Sequence, residues 1–339
     1  MRALFNAQYA RLLAAGVPDA RLSALYLLAS AAGARCSVPA AAALLSSNSP
    51  LSAAAAAAFV AGCARRASRE PLQYILGEWD FSSLRGVMVA SPTLIPRPET
   101  ETLVHLAATF ARGGGSAGRL LDMCTGSGVV ATALAVALPG WEADAVDVCE
   151  RACALAERNA ARAGVAARVR VEAGDLARWA PPAGARPYSL LVSNPPYLDE
   201  GEMARLQPEV ARFEDPRALK GGPPCGLGVT LALLGRAGPW CADGAIAMLE
   251  TGEAHPPLLA ALFGGGEGGA LPLPPGSGLG RGAPPVPVPA APCAPGEAAQ
   301  WEAAAGPGGL ANLRARWAWR GAWCDDAGRP RFVALKKQN

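Results

Sequence analysis

"RLLDMCTGSGVVATALAVAL", Arg119 to Leu138, changes its periodicity in the middle. "RLLDM" is a short apolar run that ends near an acid and reads as a buried strand. "VVATALAVAL" is longer and alanine-rich, and reads as a helix, with Cys124 to Gly128 as the loop between the two. The alternation then repeats. "EADAVDV" is a strand and "ACALAERNAARAG" a helix; "RVRVEAGD" and "YSLLVS" are strands; "TLALLGRAGPWC" contains a helix and "AIAMLE" is a strand. Strands that alternate with helices argue for an α/β fold, a parallel sheet covered by helices. "RARWAWRGAW" and "RPRFVALKK", around the turn Asp326-Ala-Gly328, read as two paired strands that close the sheet.

Other stretches obey other rules. Residues 1–76 are dominated by alanine and leucine, carry breaks at Pro18-Asp19 and Ser49-Pro50, and read as a small helical domain. Residues 77–95 alternate around Gly86 and read as a hairpin linker. The α/β domain occupies 96–339, and from about 264 to 309 it is interrupted by Gly, Pro and Ala with few charges. Such a composition buries little surface, so the stretch is expected to be a disordered insertion whose presence leaves the site intact.

Bulk properties exclude several classes. Of the 339 residues, 51% are hydrophobic and 17% charged, enough for a real core although much of it is alanine. A net charge of +3 falls short of the basic balance of a dedicated nucleic-acid binder. The nine cysteines form no C-x-x-C pair and there are two histidines, so no metal site is expected. Scattered thiols read as reduced, in a soluble intracellular protein. No apolar run is long enough to cross a membrane. The start, "MRALFNAQYARLLAAGV", fits either the remnant of an organelle targeting segment or a first domain helix. The expected compartment is accordingly a mitochondrion or chloroplast in a eukaryote and the cytoplasm in a bacterium.

The loop after the first strand points to a nucleotide-like ligand, either a dinucleotide or, in preference, S-adenosylmethionine. Gly126-Ser-Gly128-Val-Val-Ala131 fits G-x-G-x-x-A, and Asp147 ends the second strand where an acid accepts from ribose hydroxyls. Asp122, at the end of the first strand, would repel a pyrophosphate. S-adenosyl-L-methionine has no phosphate; its ammonium suits an acid and its carboxylate suits helix-terminal N–H groups. The absence of Lys-Ser or Lys-Thr after the glycines excludes a P-loop. Asp175, ending the third strand, either accepts from the adenine amino group or caps a helix, and Leu176 beside it packs on the base.

"VSNPPYLDE", Val192 to Glu200, ends the fourth strand with an amide, two prolines and a phenol. Taken alone it is either a rigid turn or a site. Its place at the carboxyl edge of the sheet favours the site. The side chain of Asn194 and the carbonyl of Pro195 can accept both N–H bonds of a planar amide or amino group and aim its nitrogen at a methyl donor. Pro195 and Pro196 stiffen the loop, and Tyr197 offers a flat wall. For Arg97 and Glu99, in "IPRPETE", capping and solvated charge are as good a reading as function. His105 reads as packing or surface, Glu250 as a strand end, and Trp317 and Trp319 as one apolar face of a strand.

With "REPLQYILGEWDF", "TLIPRPETE", "LLDMCTGSG", "AVDVCERACALAERNA", "VSNPPYLDE" and "LETGE" in that order, the chain resembles the HemK-type protein-glutamine methyltransferases. The resemblance covers most of residues 10 to 263 and resumes at the final strands. It implies a Rossmann-like class I methyltransferase sheet and S-adenosylmethionine as cofactor. The implied substrate is the glutamine of the Gly-Gly-Gln loop of a class I peptide chain release factor, methylated on its side-chain amide nitrogen. Cys124, Thr125, Gly126, Ser127, Gly128, Asp147, Leu176 and Asn194 are implied to contact the cofactor, and Asn194, Pro195, Pro196 and Tyr197 to hold the glutamine. The N-terminal helices are implied to help grip the release factor. Cys124 and Leu176 depart from the family pattern, the first standing where many members have a loop glycine, the second where some have an aromatic residue. Two rival readings are a methyltransferase acting on amino groups of DNA or RNA bases and a non-catalytic cofactor-binding assembly protein. A monomer with no direct nucleic-acid or membrane partner is expected.

Overall fold

The computed structural model describes residues 1–34, 36–47, 49–264 and 298–338. They form two compact units, one of Met1–Trp79, Val89–Pro92 and Leu206–Glu214, the other of Asp80–Met88, Thr93–Arg205 and Asp215–Asn339.

The first unit holds α1 (Arg2–Ala14), α2 (Ala20–Ala31), α3 (Val38–Ser47), α4 (Ala53–Ala67) and α5 (Leu72–Leu76), together with α10 (Pro208–Phe213). Phe5, Leu12, Leu25, Leu28, Phe59 and Cys63 meet in one core. The N-terminal stretch is α1, with Phe5 and Leu12 buried. Ser52 starts α4 by accepting from the Ala55 N–H at 3.1 Å, a cap that contributes about 1 kcal/mol. Arg66, 6% exposed, donates to Glu209 of α10 at 3.0 Å, and Arg69 donates to the same carboxylate at 2.6 Å. A buried guanidinium without this partner would be costly.

After a hairpin of β1 (Glu78–Phe81) and β2 (Leu84–Met88) comes α6 (Pro98–Gly114). The chain then alternates as its periodicity dictates. It runs β3 (Gly118–Met123), α7 (Val129–Ala137), β4 (Trp141–Asp147), α8 (Glu150–Arg162), β5 (Val169–Ala173) and β6 (Tyr188–Ser193). Next are α9 (Glu200–Met203), α11 (Gly228–Ala237), β7 (Cys241–Glu250) and α12 (His255–Leu262). Finally come α13 (Ala298–Ala305), α14 (Gly309–Arg316), β8 (Trp317–Cys324) and β9 (Pro330–Lys337). The strand order is β5-β4-β3-β6-β7-β9-β8, parallel from β5 to β7, with β9 antiparallel to β7 and β8 antiparallel to β9. Because side chains alternate along a strand, Leu120, Leu190 and Val192 enter one core and Leu121 and Leu191 the other. Both faces are apolar, as a parallel sheet under two layers of helix requires. This is the Rossmann-like class I methyltransferase sheet. Order reverses at β3, which pairs with β4 on one side and β6 on the other, so a crevice opens beyond the carboxyl ends of these strands.

The expected disorder from 264 to 309 needs correction at its far end. Residues 265–297 lie outside the described residues, but beyond them α13 and α14 are ordered. Trp301 is 0% exposed and packs with Leu231, Leu234, Leu313 and Trp317. Burying one indole is worth about 4–6 kcal/mol, enough to dock a short alanine-rich helix, and average composition hides so local a term. Trp317 is likewise buried, donating to the Leu234 carbonyl at 3.0 Å, which accounts for it as an apolar strand face.

Candidate active site

The glycine loop is built by its own residues. The Asp122 carboxylate accepts from the Thr125 hydroxyl at 2.6 Å and from the Ala131 N–H at 3.1 Å, binding the end of β3 to the first turn of α7. The Thr125 N–H donates to the Val146 carbonyl at 3.0 Å. Gly128 has φ +75°, and a β-carbon there would lie 2.6 Å from that of Ala156 on α8. Cys124 takes φ +63° without being glycine, a conformation that costs about 1–2 kcal/mol. Burial pushes the Cys124 thiol up, so it is a neutral group in the loop.

Around this loop is a cavity of about 550 Å³, within the range of roughly 300–1,000 Å³ typical of small-molecule sites. Cys124, Gly126, Asp147, Asp175, Leu176, Asn194 and Pro196 line it. A small adjoining recess of about 40 Å³ is lined by Asp122, Thr125 and Ser127, with Cys124, Gly126, Thr100 and Asn194. Gly128, Pro195 and Tyr197 line neither space. Asp147 projects from the end of β4 and takes one backbone bond on each oxygen, from Gly126 N–H at 2.8 Å and Cys149 N–H at 2.9 Å. Burial raises its pKa, against the pull of these two N–H groups. Burial likewise raises Asp122 to about 7. Asp175 is exposed and accepts from the Ala177 N–H at 2.9 Å, so it caps a turn and starts no helix.

The Asn-Pro-Pro-Tyr segment is locked from behind. The Asn194 NH2 donates to the Thr100 hydroxyl of α6 at 3.1 Å, which commits the amide nitrogen and turns the carbonyl oxygen the other way. Thr100, 4% exposed, has its own proton to give and hydrogen-bonds Glu250 at the end of β7. Glu250 is 1% exposed; burial lifts its pKa to about 7, against the Thr100 bond, and its Oε2 has no hydrogen-bond partner among the described residues. Tyr197 and Leu198 both donate their N–H to the Leu219 carbonyl, at 3.1 and 2.8 Å. The Tyr197 hydroxyl accepts from Arg331 at 3.4 Å, and the ring meets His255 edge-on at 6.5 Å. Burial, then the charge of Glu250, push the phenol to about 12. Glu99 accepts from Arg329 at 3.0 Å, so it is part of an ion pair and is not merely solvated.

Three parts of the site escaped the sequence. Thr100 sits in the quoted "IPRPETE" stretch one residue past Glu99, where only the charges drew notice. Glu250 reads as a strand end until its burial is seen. Ala303 and Ala304 of α13 line the cavity, so the stretch expected to leave the site untouched supplies part of its wall. Among the described residues no group of acidic, histidine or cysteine side chains could hold a metal ion. Nor is any described helix long and apolar enough to cross a membrane.

The cavity's parts fit S-adenosylmethionine. Asp147 keeps a free lone pair on each oxygen that could accept a hydroxyl, Gly126 and the start of α7 form the loop, and the rest of the wall mixes apolar side chains with Asp175, Asp215, Arg217 and Asn194. Comparison with known proteins agrees. Residues 3–77 match the PrmC N-terminal domain and residues 101–210 the methyltransferase small domain. A release factor glutamine methyltransferase of Deinococcus radiodurans is 36% identical over 77% of this chain and 89% of its own length. The human MTRF1L release factor glutamine methyltransferase is 36% identical over 72% of this chain and 74% of its own. The Rhodospirillum rubrum release factor glutamine methyltransferase is 40% identical, over 62% of each chain. The chain belongs to the HemK/PrmC-type release factor glutamine methyltransferase family, as an S-adenosylmethionine-dependent enzyme.

Proposed function

We propose that this protein methylates the side-chain amide nitrogen of the glutamine in the Gly-Gly-Gln motif of a class I peptide chain release factor. The observation that carries this is the Asn194–Thr100 bond, which presents the Asn194 carbonyl as an acceptor at the lip of the cofactor cavity. When bound, the cofactor would supply a methyl group on a sulfonium, whose carbon a nitrogen can attack in line as the neutral thioether leaves.

An amide nitrogen is a poor nucleophile because its lone pair is delocalised into the carbonyl. Asn194 Oδ1 and the Pro195 carbonyl accept its two N–H bonds and hold the nitrogen facing the methyl carbon. They also stabilise the positive charge that grows on that nitrogen. As the N–C bond forms and the S–C bond breaks, the nitrogen becomes acidic and loses one proton to water. No strong base is required, and the Tyr197 phenol, pushed up to about 12, stays protonated. Pro195 and Pro196 are buried and have fixed φ, which restrains the Pro195 carbonyl, and the Thr100 bond restrains that of Asn194.

A net charge of +3 argues against a phosphate-binding groove, so no direct nucleic-acid partner is proposed. The test is methyl transfer from labelled adenosylmethionine to a purified class I release factor, with DNA and RNA in parallel reactions. Label in the release factor alone is expected. Label in nucleic acid alone would replace this substrate with a base amino group, and label in neither would favour a non-catalytic role.

A further inference from the structure

Part of the cavity wall is built from uncharged side chains, although Asp175, Asp215 and Arg217 line it elsewhere. Leu176 and Ala177 come from the turn after β5, Val229 and Ala232 from α11, and Ala303 and Ala304 from α13. These three pieces are fastened to one another. Arg236 of α11 donates to the Trp179 carbonyl at 3.0 Å and so holds the turn that bears Leu176. On α11, a β-carbon at Gly235 would lie 2.6 Å from the Ala305 carbonyl oxygen, so α11 and α13 meet at backbone contact. On α13, Trp301 and Ala305 are 0% and 1% exposed, and the Glu302 carboxylate accepts from the Leu310 N–H at 2.9 Å. A helix pinned on two sides presents two alanines to the cavity, and alanine leaves room for a flat ring.

On the cofactor reading of this cavity, each part of the ligand has one suitable place. The ammonium and carboxylate belong by Asp122 and the start of α7, and the ribose belongs on Asp147. The purine, flat and weakly polar, is left with the uncharged part of the wall. We propose that α13, the helix that follows the Gly/Pro-rich stretch, is the purine wall of the cofactor cavity. Ala303 and Ala304 then determine how well the ring fits.

Two experiments test this. The first is calorimetry with S-adenosylhomocysteine on the wild-type chain and on Ala303→Leu and Ala304→Phe. These variants add bulk to the wall while Trp301 keeps α13 docked. The affinity is expected to fall at least about tenfold, or 1.4 kcal/mol, with melting of the ligand-free protein little changed. Wild-type affinity in both folded variants would overturn the role of α13 and leave the cofactor reading standing. Failure of the wild-type chain to bind would overturn the cofactor reading itself. The second needs no variant. Photolysis of an azido-adenine analogue of the cofactor should label the peptide that contains Ala303 and Ala304 in the wild-type protein. Label confined to other peptides, competed by S-adenosylhomocysteine, would overturn the proposal even if the variants failed to fold.

Discussion

Asp147 is the group on which ribose recognition turns, and its replacement has a calculable effect. Its two oxygens already take one backbone bond each, from Gly126 N–H at 2.8 Å and Cys149 N–H at 2.9 Å. Each oxygen keeps a second lone pair, so the carboxylate can receive one ribose hydroxyl per oxygen while it fastens the loop. Asp147→Ala removes these ribose acceptors and leaves the two N–H groups without their partner. Hydrogen bonds to a charged group contribute about 1.5–3 kcal/mol. The dissociation constant for S-adenosylmethionine should therefore rise about 10- to 150-fold. Asp147→Asn is no gentler than its shape suggests. Whichever way its amide turns, the NH2 faces one of two backbone donors, so one repulsive contact replaces one bond. Isothermal calorimetry of both variants reads the affinity directly, and circular dichroism checks that the sheet remains. Wild-type affinity in folded Asp147→Ala would refute this placement of the ribose and move it elsewhere along the cavity.

Two further outcomes follow from the loop. Gly128→Ala places a β-carbon 2.6 Å from Ala156 at φ +75°, whereas one at Gly126, at φ +57°, would meet nothing within 4 Å among the described residues. Urea unfolding should show Gly128→Ala destabilised by about 2–5 kcal/mol from strain plus overpacking, and Gly126→Ala by about 1–2; equal losses would contradict the packing of α7 on α8. The second outcome concerns pH. Burial lifts Asp122 to about 7 in the ligand-free protein, so below that pH its carboxyl carries a proton that a bound ammonium must expel. Affinity for adenosylmethionine should fall by up to about tenfold per pH unit below 7 and level off above it. Calorimetry from pH 5.5 to 8 measures the slope, and the same slope in Asp122→Asn would assign the effect to another group.

Much of this was legible because strands and helices repeat with periods the residues display. Apart from the short helices α9 and α10, which carry too few residues to show a period, the run from Arg119 to Glu250 could be divided into elements by apolar spacing, and ligand crevices lie at the carboxyl ends of such strands. Cys124, Gly126, Asp147 and Asn194 were therefore findable at strand ends. Two kinds of information were not local. Thr100 matters because α6 brings it to the Asn194 amide, a contact across 94 residues of chain that no spacing encodes. Trp301 matters because one buried indole outweighs the poor composition around it, and a composition average spreads that term over many neighbours. Glu250 shows the same limit: an acid at a strand end looks like any other until the layers above and below it exclude water.

The claim that Asn194 orients the reacting amide is tested most directly by single-turnover methyl transfer at saturating cofactor and release factor. Asn194→Ala deletes one acceptor from a preorganised site, which costs on the order of 3 kcal/mol in the barrier, a fall of about 10²–10³ in rate. Asn194→Asp keeps the shape and an acceptor but sets a charge beside the sulfonium. It stabilises the ground state more than the transition state, in which that positive charge is being lost, so turnover falls while cofactor binding survives. Both variants should stay folded, bind S-adenosylhomocysteine and transfer methyl slowly. Near wild-type single-turnover rates in both would contradict the orienting role and reduce Asn-Pro-Pro-Tyr to a rigid turn.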